Sequence, residues 1–99
     1  MSKLKITVLK RTFDQELADA YCSTKTSPCP HFAEGQEFIV DDYPAEGFCD
    51  AAWNDIYKAT LTLAQGGSFS PWIKDDNTMI VCCSDGIRPV VFKVERIND

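Results

Sequence analysis

The chain has 99 residues, 44% hydrophobic and 25% charged, which supplies apolar material for one core and too little length for a second domain. Its net charge of −5 lacks the Lys and Arg excess needed to neutralise a phosphate backbone, so nucleic acid is not an expected partner. No stretch reaches the roughly 18 uninterrupted apolar residues of a membrane helix, so a membrane is not one either.

Leu4, Ile6 and Val8 alternate with Lys3, Lys5 and Thr7, the period of two that puts apolar side chains on one face of a strand, here from Lys3 to Arg11. Asp14 is placed to cap a short helix running to Tyr21, with Leu17 and Tyr21 four apart. From Ser23 to Gly35 the prolines, hydroxyl residues and Gly35 break regular structure, which puts Cys29 and His31 on a loop. Gln36 to Val40 reads as a second strand, with Phe38 and Val40 on one face and Glu37 and Ile39 on the other. Asp41 to Gly47, with Pro44, is a connection.

Ala52, Ile56, Ala59 and Leu63 recur at intervals of four, three and four, the apolar stripe of an amphipathic helix from about Asp50 to Gln65. Asp50 is placed to accept backbone hydrogen bonds at its start, and Gly66-Gly67 suits the left-handed backbone that ends it. After a loop from Ser68 to Asn77, the β-branched segment Thr78 to Cys83 and the alternating segment Pro89 to Ile97 flank Ser84-Asp85-Gly86 and predict a terminal hairpin. The fold class is then α+β: a mainly antiparallel four-stranded sheet with one long amphipathic helix and one short helix, spanning residues 1–99 as a single domain. A chain this small gains stability from self-association, so a homo-oligomer is expected on size alone.

Chemistry centres on the cysteines. Cys22, Cys29, Cys49, Cys82 and Cys83 are odd in number, and the alternating charges of Met1 to Lys5 do not supply the apolar run of a signal peptide, so a reduced, cytoplasmic setting is expected rather than a disulfide framework. Cys49 at the predicted helix N-terminus is next to unpaired N–H groups that favour a thiolate, which makes it the candidate nucleophile. The plainer account packs it between Phe48 and Ala51 as a small core residue. Cys82 and Cys83, adjacent on a strand, must point to opposite faces, so one is core-facing and the other a surface or interface thiol unless a bulge re-aims it.

Cys29-Pro30-His31 offers two soft-metal ligands on a loop, without the Cys-x-x-Cys spacing of a zinc ribbon or ferredoxin. A metal site would be assembled from Cys29, His31, Cys49, Cys82 and Cys83, with a soft metal ion or an iron–sulfur centre as the cofactor. Hydrolase chemistry lacks support, since His31 has no Ser or Asp at a recognisable spacing and Asp50, Asp55 and Asp85 form no carboxylate pair. Arg88 could face an anion, although turn chemistry accounts for Asp85 and Gly86 and an exposed Arg needs no special role. Trp53, Phe69 and Trp72 line a small apolar pocket or act as lids on the core.

Cys29-Pro30, Gly35-Gln36-Glu37-Phe38, Gly47-Phe48-Cys49-Asp50, Cys82-Cys83 with Asp85-Gly86, and Arg88-Pro89-Val90-Val91-Phe92-Lys93 together resemble the motifs of a family of small bacterial proteins, in order and spacing along nearly the whole chain. The resemblance brings no activity with it. It implies that Cys29, Cys49, Cys82 and Cys83 match the motif cysteines and that Cys22 is peculiar to this sequence. Three functions follow as expectations: a protein holding a soft metal or iron–sulfur centre, a thiol enzyme or redox protein using Cys49, and an oligomeric interaction module whose cysteines only pack. The small-molecule ligand is left open.

Overall fold

Alternation along the first segment has the expected result: Leu4, Ile6 and Val8 are at most 2% exposed, while Lys3, Lys5 and Thr7 are half-buried on the other face. The computed structural model describes residues 2–41 and 45–97, so Asp42, Tyr43 and Pro44 of the expected connection lie outside the described residues. The elements are β1 (Lys3–Arg11), α1 (Gln15–Tyr21), β2 (Glu37–Val40), α2 (Asp50–Ala64), β3 (Thr78–Cys82) and β4 (Val90–Ile97). The strands form one sheet in the order β2-β1-β4-β3, with all three pairings antiparallel. This is the α+β architecture that the patterns predict.

One face of the sheet carries the core. Phe38 and Val40 of β2, Leu4, Ile6 and Val8 of β1, and Val90, Phe92 and Val94 of β4 are buried there, and α2 lays Ala52, Ile56, Ala59 and Leu63 over them. The register pairs Ile6 with Phe38 on one side and with Val94 on the other, so the apolar sets of three strands fall on one surface. On β3 the same alternation turns Met79 and Val81 to the core and leaves Ile80 and Cys82 exposed.

Helix boundaries follow local chemistry. The Asp14 carboxylate accepts the Leu17 N–H at 2.9 Å, the N-cap bond expected of α1. Ala18 is buried, whereas Leu17 and Tyr21 are exposed, so α1 rests on a small residue rather than on the pair four apart. The N-cap of α2 is Cys49, with no side-chain capping bond, and Asp50 is already helical; the predicted capping role of Asp50 is displaced by one residue. Gly47 at φ +85° turns the chain into that helix and Gly66 at φ +90° turns it out, conformations that cost a residue with a Cβ. Beyond Gly66, Arg96 donates to the carbonyls of Leu63 (2.6 Å) and Gly67 (2.9 Å), so a β4 side chain satisfies the open end of α2.

Four aromatic rings join these layers. Phe32, from the loop after Cys29, lies 5.2 Å from Phe48, 5.1 Å from Phe92 and 6.0 Å from Phe38, ring centre to ring centre. Edge-to-face and tilted pairs at such distances add about 0.5–1.5 kcal/mol beyond area burial. Phe32 is only 4% exposed although no strand or helix holds it. Replacing it by Ala should cost about 3–5 kcal/mol, the range for buried aromatic truncations, in urea unfolding followed by tryptophan fluorescence; a loss below about 1 kcal/mol would show that the Cys29 loop is anchored by something else.

Candidate functional site: a cleft lined by three cysteines

The aromatic contacts place three cysteine-bearing segments around one depression. Phe48 immediately precedes Cys49, Phe32 follows Cys29 by three residues, and Phe92 lies on the strand that receives the hairpin from Cys83. Between these segments opens a cleft of about 410 Å³, within the usual size range of small-ligand sites. Cys29, Cys49 and Cys83 line it, together with His31, Asp55, Asp85 and Arg88 and an apolar floor that includes Phe32, Ala52 and Val90. All three thiols are half-buried and unpaired, and each packs against the core.

Each wall has its own fastening. Arg11 donates to the Cys29 carbonyl at 3.1 Å; it reaches that loop from the end of β1, beyond the register shift that leaves Leu9 unpaired with β4. His31 Nε2 stands 3.2 Å from the Gly47 carbonyl, donating in the tautomer protonated there, which ties the Cys29 loop to the entry of α2. At the hairpin, the Cys83 N–H donates to the Val90 carbonyl at 3.1 Å and the Val90 N–H donates to Cys83 Sγ at 3.3 Å. The Ser84 N–H donates to Asp55 of α2 at 2.8 Å, fixing the hairpin against the helix.

Asp85 organises the rest of the hairpin. Its Oδ1 accepts the N–H groups of Ile87 (2.9 Å) and Arg88 (3.0 Å), and its Oδ2 accepts Arg88 Nε at 3.1 Å. The backbone bond from Arg88, against a partial desolvation cost and helped by Ile87 and the guanidinium, holds the carboxyl below its ordinary value of 3.8. Asp85 has the turn role that its position predicts, and Arg88, for which the sequence leaves open both an anion-facing and a plain exposed place, lines the cleft. The Asp-x-x-Arg spacing was the available signal, since it lets one carboxylate hold both the backbone and the side chain of the Arg.

The expected metal set divides. Cys29, His31, Cys49 and Cys83 come to one cleft. Cys82 does not: strand alternation sends it to the opposite face, exposed beside Ile80. Among the described residues no group of three His, Cys, Asp or Glu side chains is placed to hold a metal ion. Of the two readings of Trp53, Phe69 and Trp72, that of core lids fits the first two, which pack on the core, while Trp72 is 75% exposed. Among the described residues no helix is long and apolar enough to cross a membrane.

Fold and cleft together define an α+β protein with three free thiols around one depression. No family model, curated protein or solved structure matches the chain.

Because Asp85 titrates lower folded than unfolded, its contribution to stability is complete above the unfolded value near 3.8 and is lost as pH falls through the lower folded value. Thermal melts between pH 7 and pH 2 should show an acid loss that Asp85→Asn reduces, the variant already being less stable at neutral pH; identical acid profiles would contradict this role.

Proposed function

We propose that the protein carries out thiol–disulfide exchange in this cleft, with Cys49 as the attacking thiol and Cys29 as its partner. One observation carries the reading: three unpaired thiols from three distant segments line one half-buried depression, where a structural cysteine would be expected to stand alone in hydrocarbon. In the first step the Cys49 thiolate attacks a small disulfide R–S–S–R, forming a Cys49–S–S–R bond and releasing RS⁻. In the second, Cys29 attacks the Cys49 sulfur, an intramolecular disulfide forms, and a second RS⁻ leaves. The two thiol protons pass to the released thiolates, so the substrate disulfide gains the two electrons that the protein dithiol gives up. Cys29 is assigned as partner because the His31–Gly47 contact fastens its loop to the segment carrying Cys49. Five free cysteines suit such chemistry in a reducing compartment such as the cytoplasm.

Incubation with bis(2-hydroxyethyl) disulfide, followed by peptide mapping, is expected to give a mixed disulfide on Cys49 that converts to a Cys49–Cys29 crosslink. Cys49→Ser should abolish the crosslink, and Cys22→Ser and Cys82→Ser should leave it intact. Preferential labelling of Cys22 and Cys82, or a folded protein that reacts no faster than the urea-unfolded chain, rules the reading out.

A second reading, a soft metal ion or iron–sulfur centre on Cys29, Cys49 and Cys83, is favoured by the same shared lining and requires the walls to approach, since thiolates bind zinc at about 2.3 Å. It predicts close to one equivalent of Zn, Fe or Cu per chain in protein purified anaerobically without chelator. Elemental analysis giving less than about a tenth of an equivalent would dismiss it.

A further inference from the structure

Asp85 and Arg88 line a second depression as well, a groove of about 490 Å³ whose other wall is the loop from Cys22 to Ser27. We infer that the thiol cleft takes a small disulfide bearing a carboxylate, with Arg88 as the carboxylate seat and this groove as the place for the remainder of the molecule. The inference rests on the exchange reading above and adds the class of its substrate.

Arg88 is presented in a particular way. Of its guanidinium only Nε is engaged, by Asp85 Oδ2 at 3.1 Å; among the described residues the two terminal amino groups have no hydrogen-bond or ion-pair partner. A guanidinium held along one edge is pre-oriented, and its free end matches a carboxylate with two parallel N–H donors. The carboxylate doing the holding stays ionised, because Asp85 is itself bound by two backbone N–H groups.

The two depressions differ in kind. The cleft offers thiols and an apolar floor, whereas the groove offers the hydroxyls of Ser23 and Thr24 and the ammonium of Lys25, those of Thr26 and Ser27 already donating to the carbonyls of Thr24 and Pro28. Lys25 has no carboxylate within ion-pair distance among the described residues. Arg88 and Lys25 against Asp85 leave the groove with a net charge of +1, on a chain whose total is −5. A ligand with sulfur at one end and an anionic, hydrogen-bonding body at the other matches both depressions at once, with Arg88 at their junction.

Three disulfides compared at equal pH and low ionic strength test this: 3,3′-dithiodipropionate (anionic), bis(2-hydroxyethyl) disulfide (neutral) and cystamine (cationic), with exchange followed by intact mass. The anionic disulfide is expected to react about tenfold faster than the neutral one, a ratio that one charge-assisted fork supports, and cystamine more slowly than either. Arg88→Ala should remove the preference, and Arg88→Lys should restore part of it. Lys25→Glu, on an exposed loop, provides a variant that does not disturb the hairpin, and should lower the anionic rate selectively. Equal wild-type rates for the anionic and neutral disulfides, or an unchanged preference in folded Arg88→Ala or Lys25→Glu, overturn the substrate class and leave exchange standing. Failure of all three disulfides to react overturns both.

Discussion

The ring contacts of Phe32 with Phe48 and Phe92 are the constraint on which the rest of this structure depends. The three residues come from a proline-rich loop, from the entry of α2 and from the strand after the terminal hairpin, segments that share no secondary-structure hydrogen bonds with one another as a group. Ring burial supplies what backbone pairing does not, since a large apolar area leaves water at a point where no ladder could form. Each ring lies close in sequence to a cysteine or to its hairpin, so packing the rings brings the thiols round one opening. The cleft is therefore a by-product of core formation.

Polar straps set the fine positions. Asp55 holds the hairpin to α2 through the Ser84 N–H, Asp85 folds the hairpin on itself and orients Arg88, and His31 joins its loop to Gly47. The Asp55 and His31 straps run between a side chain and the backbone of another segment, while that of Asp85 stays within its hairpin, which suits loops whose own N–H and C=O groups lack ladder partners. A negative total charge coexists here with a locally positive groove, because Lys25 and Arg88 outnumber Asp85 along its walls. Net charge describes the whole surface; recognition depends on which charges are left unengaged.

The position of the thiols also separates the chemistries open to them. A structural metal demands several ligands within bonding distance of one point, whereas disulfide exchange asks only that two sulfurs meet in sequence, one step after the other. Half-buried thiols on separate walls of an open cleft meet the second requirement more readily than the first. Cys82, two residues beyond Ile80 on the outer face, is outside either scheme for a purely geometric reason.

Local physics was legible in the amino-acid sequence. Period-two alternation placed Leu4, Ile6, Val8, Phe38, Val40, Phe92 and Val94 on the core face, the spacing of Ala52, Ile56, Ala59 and Leu63 defined α2, and the same alternation required Cys82 and Cys83 to part company. These are consequences of strand and helix geometry acting over a few residues. Strand order, the burial of Phe32, the reach of Arg96 to the end of α2 and the place of Arg88 on the cleft wall were decided only by the tertiary structure. Each of them joins residues tens of positions apart whose meeting no local period encodes, and each depends on how the whole sheet and its helix close over the core.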